Sequence, residues 1–212
     1  MSWDALSYPW QACVQEAWAA HCAGSLPIGA VITDQSGNII ARGRNRIFES
    51  SAEDRQIHGH RLAHAELNAL LNLADTIDPT TCVLYSTTEP CALCAGAIGM
   101  SGVRTVKYAA CDPTAGGIAL LEATPFLRGR KINVTGPEWG NFEAVLVALR
   151  VAQRYRKGLG QGIIVRALES TVPRGTALGA WLFETGHIQR MCEAGVDAAS
   201  MLNELFILLE RS

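Results

Sequence analysis

Pro90-Cys91-Ala92-Leu93-Cys94 and, earlier in the chain, His64-Ala65-Glu66 are the two stretches from which the rest of this sequence is interpreted. The two cysteines lie three residues apart at the predicted start of a helix, which places both sulfur atoms on one helix face. Thiolate and imidazole are ligands that zinc prefers, and three protein ligands leave the fourth tetrahedral position open. The sequence therefore predicts one Zn²⁺ ion bound by His64, Cys91 and Cys94.

Glu66 lies two residues after the histidine and need not bind the metal itself. Its carboxylate can accept a proton from a water molecule at the zinc site and deliver it to a substrate, which makes it the candidate catalytic residue. A structural zinc site is the alternative, and it would require a fourth ligand. The nearest candidates are Cys82 and His60, and neither has the spacing of a ligand pair.

Composition is typical of a compact folded enzyme. The chain has 212 residues, of which 49% are hydrophobic and 18% charged, enough for a sizeable core. Seven cysteines form an odd set in which only Cys91 and Cys94 are close together, so no disulfide framework is expected. No signal peptide or apolar segment of membrane-spanning length is evident, which favours a cytoplasmic protein without membrane contact.

The charge balance bears on the kind of substrate. Lysine and arginine total 18 against 20 acidic residues, giving a net charge of -2 and a pI near 6.2. The densest basic run, at 150–157, is interpreted as the polar face of a helix. Because proteins that bind nucleic acids usually carry a basic excess, this balance disfavours a nucleic-acid substrate without excluding one.

Hydrophobic periodicity and turn residues predict an alternation of strands and helices. A hairpin turn at 34–37 joins the first two strands, and the long polar segment at 46–61 is typical of a functional loop. This order favours an α/β layer architecture with a mixed sheet. Helices are predicted at 4–23, 62–74, 91–100, 118–127 and 141–157, and strands at 27–33, 38–45, 81–87, 103–110 and 130–135.

The sequence changes character after a glycine-rich segment at 158–162. Beyond it we expect a further strand at 163–167 and two helices at 174–193 and 196–211. These observations divide the chain into a catalytic domain at 1–157 and a helical extension at 158–212. The extension is expected to pack on that domain or on another subunit.

From about Ser25 to about Leu149, the chain resembles the zinc-dependent cytidine deaminase-like superfamily. The motifs behind this resemblance lie at 27–32, 64–70 and 88–98, and they are most similar to those of guanine deaminases, tRNA adenosine deaminases and fungal-type cytosine deaminases. The resemblance implies a three-layer α/β/α fold with a five-stranded mixed sheet, one zinc ion per subunit, and a homodimer or larger homo-oligomer.

The same resemblance implies three substrate contacts. Asn45 matches an asparagine that hydrogen-bonds the base. Ala65 matches a residue whose backbone contacts the substrate, and Asp112 matches a residue at the edge of the pocket. The alternatives are that Asn45 closes a strand and that Asp112 caps a loop. Phe48 and Trp139 are candidates to stack on a base, although aromatic residues more often belong to the core.

The segment at 59–64 departs from the pattern of that branch, and the preceding loop is longer, so the exact substrate does not carry over. The expected function is hydrolytic deamination of a free nucleobase or small nucleoside, a purine such as guanine or adenine or a cytosine-like base, with release of ammonia. One alternative is a tRNA-specific adenosine deaminase that makes inosine. Another is a zinc-stabilised interaction module with an inactive site, which the intact Glu66 disfavours.

Overall fold

The structure, a computed structural model, describes residues 1–52, 55–138 and 140–211, so the predicted stacking residue Trp139 lies outside the described residues. Within these ranges, nine α-helices accompany five strands. The strands are β1 (Gly29–Thr33), β2 (Ile39–Arg44), β3 (Val83–Thr88), β4 (Thr105–Ala110) and β5 (Asn133–Thr135). The helices are α1 (Tyr8–Cys22), α2 (Ala65–Asn72), α3 (Ala92–Ser101), α4 (Pro125–Gly129), α5 (Asn141–Arg156), α6 (Ile163–Thr171), α7 (Pro173–Glu184), α8 (His187–Glu193) and α9 (Ala198–Arg211).

The five strands form one mixed sheet in the order β2-β1-β3-β4-β5, which confirms the predicted fold class. β1 is antiparallel to both β2 and β3, whereas β3, β4 and β5 run parallel to one another. The turn between β1 and β2 is held by Asp34, whose carboxylate accepts hydrogen bonds from the backbone N–H groups of Ser36 and Asn38.

Helices cover both faces of the sheet because successive strand residues point to opposite sides. Val31 packs into a core with α1 and α5, while its neighbours Ala30 and Ile32 pack into a second core with α2 and α3. The close approach of α2 requires a glycine: a Cβ on Gly43 would lie 2.2 Å from the backbone nitrogen of Ala69. This contact holds α2, including its first turn, against β2.

The C-terminal helices pack on the same face as α1 and α5 and share their hydrophobic core. The strand predicted at 163–167 is wrong, because this segment forms the start of α6. Val165 and Leu168, three residues apart, are the buried residues of that helix, so the short apolar run belongs to a helical face. The helix predicted at 174–193 is interrupted at Gly186, which adopts φ +66° between α7 and α8.

A disulfide joins Cys22 at the end of α1 to Cys192 in α8, with 5.3 Å between the Cα atoms. The expectation of no disulfide is therefore wrong. The two cysteines are separated by 170 residues, so sequence spacing contains no sign of their contact. The other five cysteines are free.

None of the described helices combines the length and the apolar composition needed to span a membrane.

Candidate active site

His64, Cys91 and Cys94 converge on one point. His64 Nδ1 lies 3.5 Å from Cys91 Sγ and 3.4 Å from Cys94 Sγ, and the two sulfur atoms are 3.7 Å apart. Tetrahedral zinc with bonds of about 2.3 Å to sulfur and about 2.0 Å to nitrogen separates its ligand atoms by about 3.5–3.8 Å. Both the donor types and their spacing therefore fit a zinc ion.

Two helix starts and one loop build this cluster. His64 is the N-cap residue of α2 and Cys91 that of α3, with Cys94 in the first turn. Unpaired N–H groups and the partial positive charge at a helix N-terminus stabilise thiolates. Gly117 closes the loop over α3, since a Cβ there would lie 2.4 Å from the Ala92 nitrogen.

The two sulfur atoms differ in protonation. The pKa of Cys91 is lowered to about 4, first by hydrogen bonding with the Cys94 thiol and also by contact with His64. The same sulfur–sulfur contact, together with burial, raises the pKa of Cys94. Contact with the Cys91 sulfur raises the pKa of His64. Zinc binding requires thiolates and a neutral imidazole, so a metal ion would displace the protons that these three groups otherwise share.

The Glu66 carboxylate lies beside the cluster and is almost completely buried, with 4% of the residue exposed. Its Oε1 accepts a hydrogen bond of 3.0 Å from the Ser86 hydroxyl on β3, and its Oε2 lies 3.3 Å from Cys94 Sγ. Burial raises the pKa of Glu66. A carboxylate with a raised pKa at a reacting centre can both accept and return a proton near neutral pH.

A cavity of about 170 Å³ opens over these residues. It brings together Glu66, two of the three candidate metal ligands, two of the three predicted substrate contacts and a group of residues from α5 and α6. The lining includes Asn45, His64, Glu66, Cys91 and Asp112.

Asn45 has one free hydrogen-bonding group at this cavity. It is 1% exposed and follows the last residue of β2. Its Oδ1 accepts a hydrogen bond from the backbone N–H of Ile47, whereas no described residue accepts one from its Nδ2. The geometry thus combines both interpretations of this residue, as the end of a strand and as a pocket residue.

Unlike Asn45, neither Asp112 nor Ala65 presents an unpaired side-chain group to the cavity. The Asp112 carboxylate lines the cavity, but it pairs with Arg150 at 2.8 Å and accepts hydrogen bonds from the N–H groups of Thr114 and Ala115. Ala65 is fully buried at the first position of α2, and its side chain belongs to the core below the cavity. Phe48 is exposed, with the Lys157 ammonium 4.3 Å from its ring centroid.

Several residues of the site and its cavity were missed from sequence. Ser86 and Thr88 alternate along β3, and both are buried. Among the described residues, nothing pairs with the buried Thr88 hydroxyl, which lines the cavity. The period-two pattern of β3 could have indicated both residues, whereas no local signal indicates Arg154 and Ile164, which reach the cavity from α5 and α6.

Comparison with known proteins gives a family match over half of the chain. The family described as "Cytidine and deoxycytidylate deaminase zinc-binding region" matches residues 4–110. The chain is 36% identical over 102 residues to a tRNA-specific adenosine deaminase of Haemophilus influenzae, covering 47% of this chain and 54% of that one. It is also 38% identical over 86 residues to a probable cytosine deaminase of Schizosaccharomyces pombe. That alignment covers 40% of this chain and 48% of the relative.

A solved structure from work on A-to-I editing by tRNA:A34 deaminases aligns with a TM-score of 0.55 and 26% identity. That alignment covers 66% of this chain and 98% of the other. In contrast, the chain spans about half the length of the two curated relatives it matches.

Proposed function

The chain belongs to the cytidine and deoxycytidylate deaminase zinc-binding family, and from this premise we propose that it is a zinc-dependent hydrolytic deaminase of a free nucleobase or small nucleoside. The observation that carries the proposal is the buried carboxylate of Glu66, held by Ser86 beside three converging zinc-type ligands. A structural zinc site has no use for such a carboxylate, whereas hydrolysis requires a group that moves protons.

His64, Cys91 and Cys94 would hold the metal, and their side chains would give Zn²⁺ a site of zero net charge when both cysteines are thiolates. Bound zinc would lower the pKa of a water molecule toward about 7, which supplies a nucleophile at neutral pH. His64 and Cys91 of this group line the cavity together with Glu66, so a ring bound in the cavity would meet both the metal site and Glu66.

Glu66 is the proton carrier of the proposed reaction. It accepts a proton from the attacking water and delivers it to the adjacent ring nitrogen, as the oxygen bonds to the amine-bearing carbon. The second water proton then passes to the amine, the carbon–nitrogen bond breaks, and ammonia leaves behind an oxo group. Burial of Glu66 supports this role, because it raises the pKa of the carboxyl group and so makes the carboxylate a better proton acceptor.

Asn45, Ala65 and Asp112 are proposed to position the substrate. The unpaired amide of Asn45 is available to an acceptor atom on the ring. Ala65 contributes through its backbone, and Asp112, tied to Arg150, shapes the pocket edge. The cavity of about 170 Å³ is smaller than the roughly 300–1,000 Å³ pockets of drug-sized ligands and suits a single heterocycle.

Ammonia release from a panel of substrates tests this function. The zinc-loaded chain is incubated with guanine, adenine, cytosine, their nucleosides and the matching monophosphates, with the Glu66→Ala variant as control. We expect release from at least one compound and none from the variant. Release from no member of the panel would contradict the proposed substrate class.

The second candidate is a tRNA adenosine deaminase, which the identity to the Haemophilus influenzae protein favours. It predicts inosine in an anticodon stem-loop and binding that weakens steeply as salt rises. Conversion of a stem-loop adenosine, with no turnover of free bases or nucleosides, would replace the first proposal by this one.

Three further proposals concern the whole protein. We propose a homodimer or larger homo-oligomer, supported only by the family resemblance. We also propose the division into a catalytic domain at 1–157 and an extension at 158–212, supported by the helical character of the extension. Cytoplasmic localisation is supported by the reduced state that zinc-binding thiols need, although the Cys22–Cys192 disulfide is unusual in that compartment.

A further inference from the structure

Two arginines on α5 line the cavity, and only one of them is neutralised. Arg150 and Arg154 lie four residues apart, on the same helix face. Arg150 donates hydrogen bonds to Asp112 at 2.8 Å and to the Cys111 carbonyl at 3.2 Å. The Arg154 guanidinium, which is half-buried, has no hydrogen-bond acceptor among the residues that the structure describes.

The surroundings of Arg154 favour an incoming anion. Burial lowers the pKa of Arg154, and so does the neighbouring Arg150 cation, with Asp112 opposing them. Holding a partly desolvated cation next to a second cation costs free energy that a bound anion would offset. Glu89 also lines the cavity, but its carboxylate packs against Gly116 and accepts a hydrogen bond from the backbone N–H of Asp112.

We propose that Arg154 binds an anionic group of the substrate, a phosphate ester or a carboxylate, at the wall of the cavity formed by α5 and α6. A guanidinium can make two parallel hydrogen bonds to either group, which gives orientation as well as charge recognition. This inference rests on the proposed deaminase function and adds to it a preference for the anionic relatives of its neutral substrates. Arg154 and Ile164 both lie outside the residues matched by the family, so this wall is a feature of the chain's own C-terminal half.

Steady-state kinetics on matched substrates test the inference. Cytidine, adenosine and guanosine are compared with their 5′-monophosphates, and cytosine with its 5-carboxyl derivative, which separates phosphate from carboxylate recognition. We expect kcat/KM for an anionic compound to exceed that of its neutral partner by about tenfold or more, because a hydrogen bond to a charged group strengthens binding by at least this factor. Arg154→Gln should remove this preference through KM, and Arg154→Lys should restore part of it.

Arg156→Gln is the matched control, because it removes an exposed cation from the same helix without altering the cavity lining. It should keep the preference for the anionic substrates. An equal preference in the wild type and in Arg154→Gln would overturn the inference while leaving the deaminase function intact.

Binding measurements separate failure of the inference from failure of the function. The zinc-loaded Glu66→Ala variant, with and without Arg154→Gln, is titrated with the same compounds by calorimetry. Suppose that the wild type turns over none of the compounds but that Arg154→Gln weakens binding of the anionic ones about tenfold. The anion site is then supported and the proposed reaction is contradicted. If none of these compounds binds, or only an RNA stem-loop depends on Arg154, the inference is overturned.

Discussion

The Ser86 hydroxyl, on β3, donates a hydrogen bond of 3.0 Å to Oε1 of Glu66, at the start of α2. Both residues are buried, so water does not compete for this contact. The bond leaves Oε2 directed toward the cysteine cluster, 3.3 Å from Cys94 Sγ. The central strand thus fixes the orientation of the carboxylate that the proposed reaction requires.

Replacing Ser86 by alanine should lower kcat by roughly tenfold or more while the zinc content stays unchanged. Loss of a residue that orients a group at a metal site typically lowers activity by about 10–100-fold. Kinetics and metal analysis on the same preparations check the prediction. Ser36→Ala, in the exposed turn between β1 and β2, is the control and should behave as wild type. A fully active Ser86→Ala enzyme would show that the hydrogen bond does not position Glu66.

Asn45→Ala should raise KM by about tenfold with a smaller change in kcat, since a buried amide hydrogen bond to the substrate contributes about 1–1.5 kcal/mol. Asn133→Ala, on exposed β5, provides a control for general effects of the substitution. The measurement is the substrate dependence of ammonia release. An unchanged KM would assign Asn45 to the closing of β2 alone.

Much of the site could be predicted from sequence because its parts are local. His64 and Glu66, or Cys91 and Cys94, lie within one turn of chain, and helix starts place them as their spacing indicates. Arg154 could not be assigned in this way. Its position over the cavity depends on how α5 packs across the sheet, and the basic run at 150–157 indicates only the polar face of a helix.

The Cys22–Cys192 disulfide should stabilise the folded chain, because it closes a loop across 170 residues in the unfolded state. The chain-entropy model gives about 5 kcal/mol for a loop of this length, and disulfides typically contribute about 2–4 kcal/mol. Cys22→Ser/Cys192→Ser should therefore unfold at lower urea concentration, and a reducing agent should shift the wild type in the same direction. The reducing agent should leave the double variant unchanged, and a wild type insensitive to reduction would contradict the prediction.

His21 predicts acid sensitivity. Burial lowers its pKa from the ordinary value of 6.5 to about 3, with a smaller effect of Arg156. Between these values the unfolded chain binds a proton that the folded chain excludes, so stability falls as the pH falls, by about 3 kcal/mol between pH 7 and pH 4. Urea unfolding at both pH values should show a smaller loss in His21→Phe than in the wild type. The exposed His58→Gln control should lose as much as the wild type.

Two errors of the sequence-based fold prediction, the strand at 163–167 and the missed disulfide, share one physical cause. The run that begins α6 is too short for its period to distinguish a strand from a helix, and tertiary packing against α5 and α7 decides the outcome. The partner of Cys22 likewise depends on how α8 docks on α1. Both features are set by contacts between distant parts of the chain.

The most direct test of the central claim is the rate of ammonia release by zinc-loaded wild type and Glu66→Ala at equal metal content, measured on the best substrate of the panel. The account predicts one zinc per chain in both proteins and a loss of turnover of at least about a thousandfold in the variant, within the range that proton-transfer groups contribute. Equal rates in the two proteins, or full turnover by a Cys91→Ala/Cys94→Ala variant that holds no zinc, would contradict it.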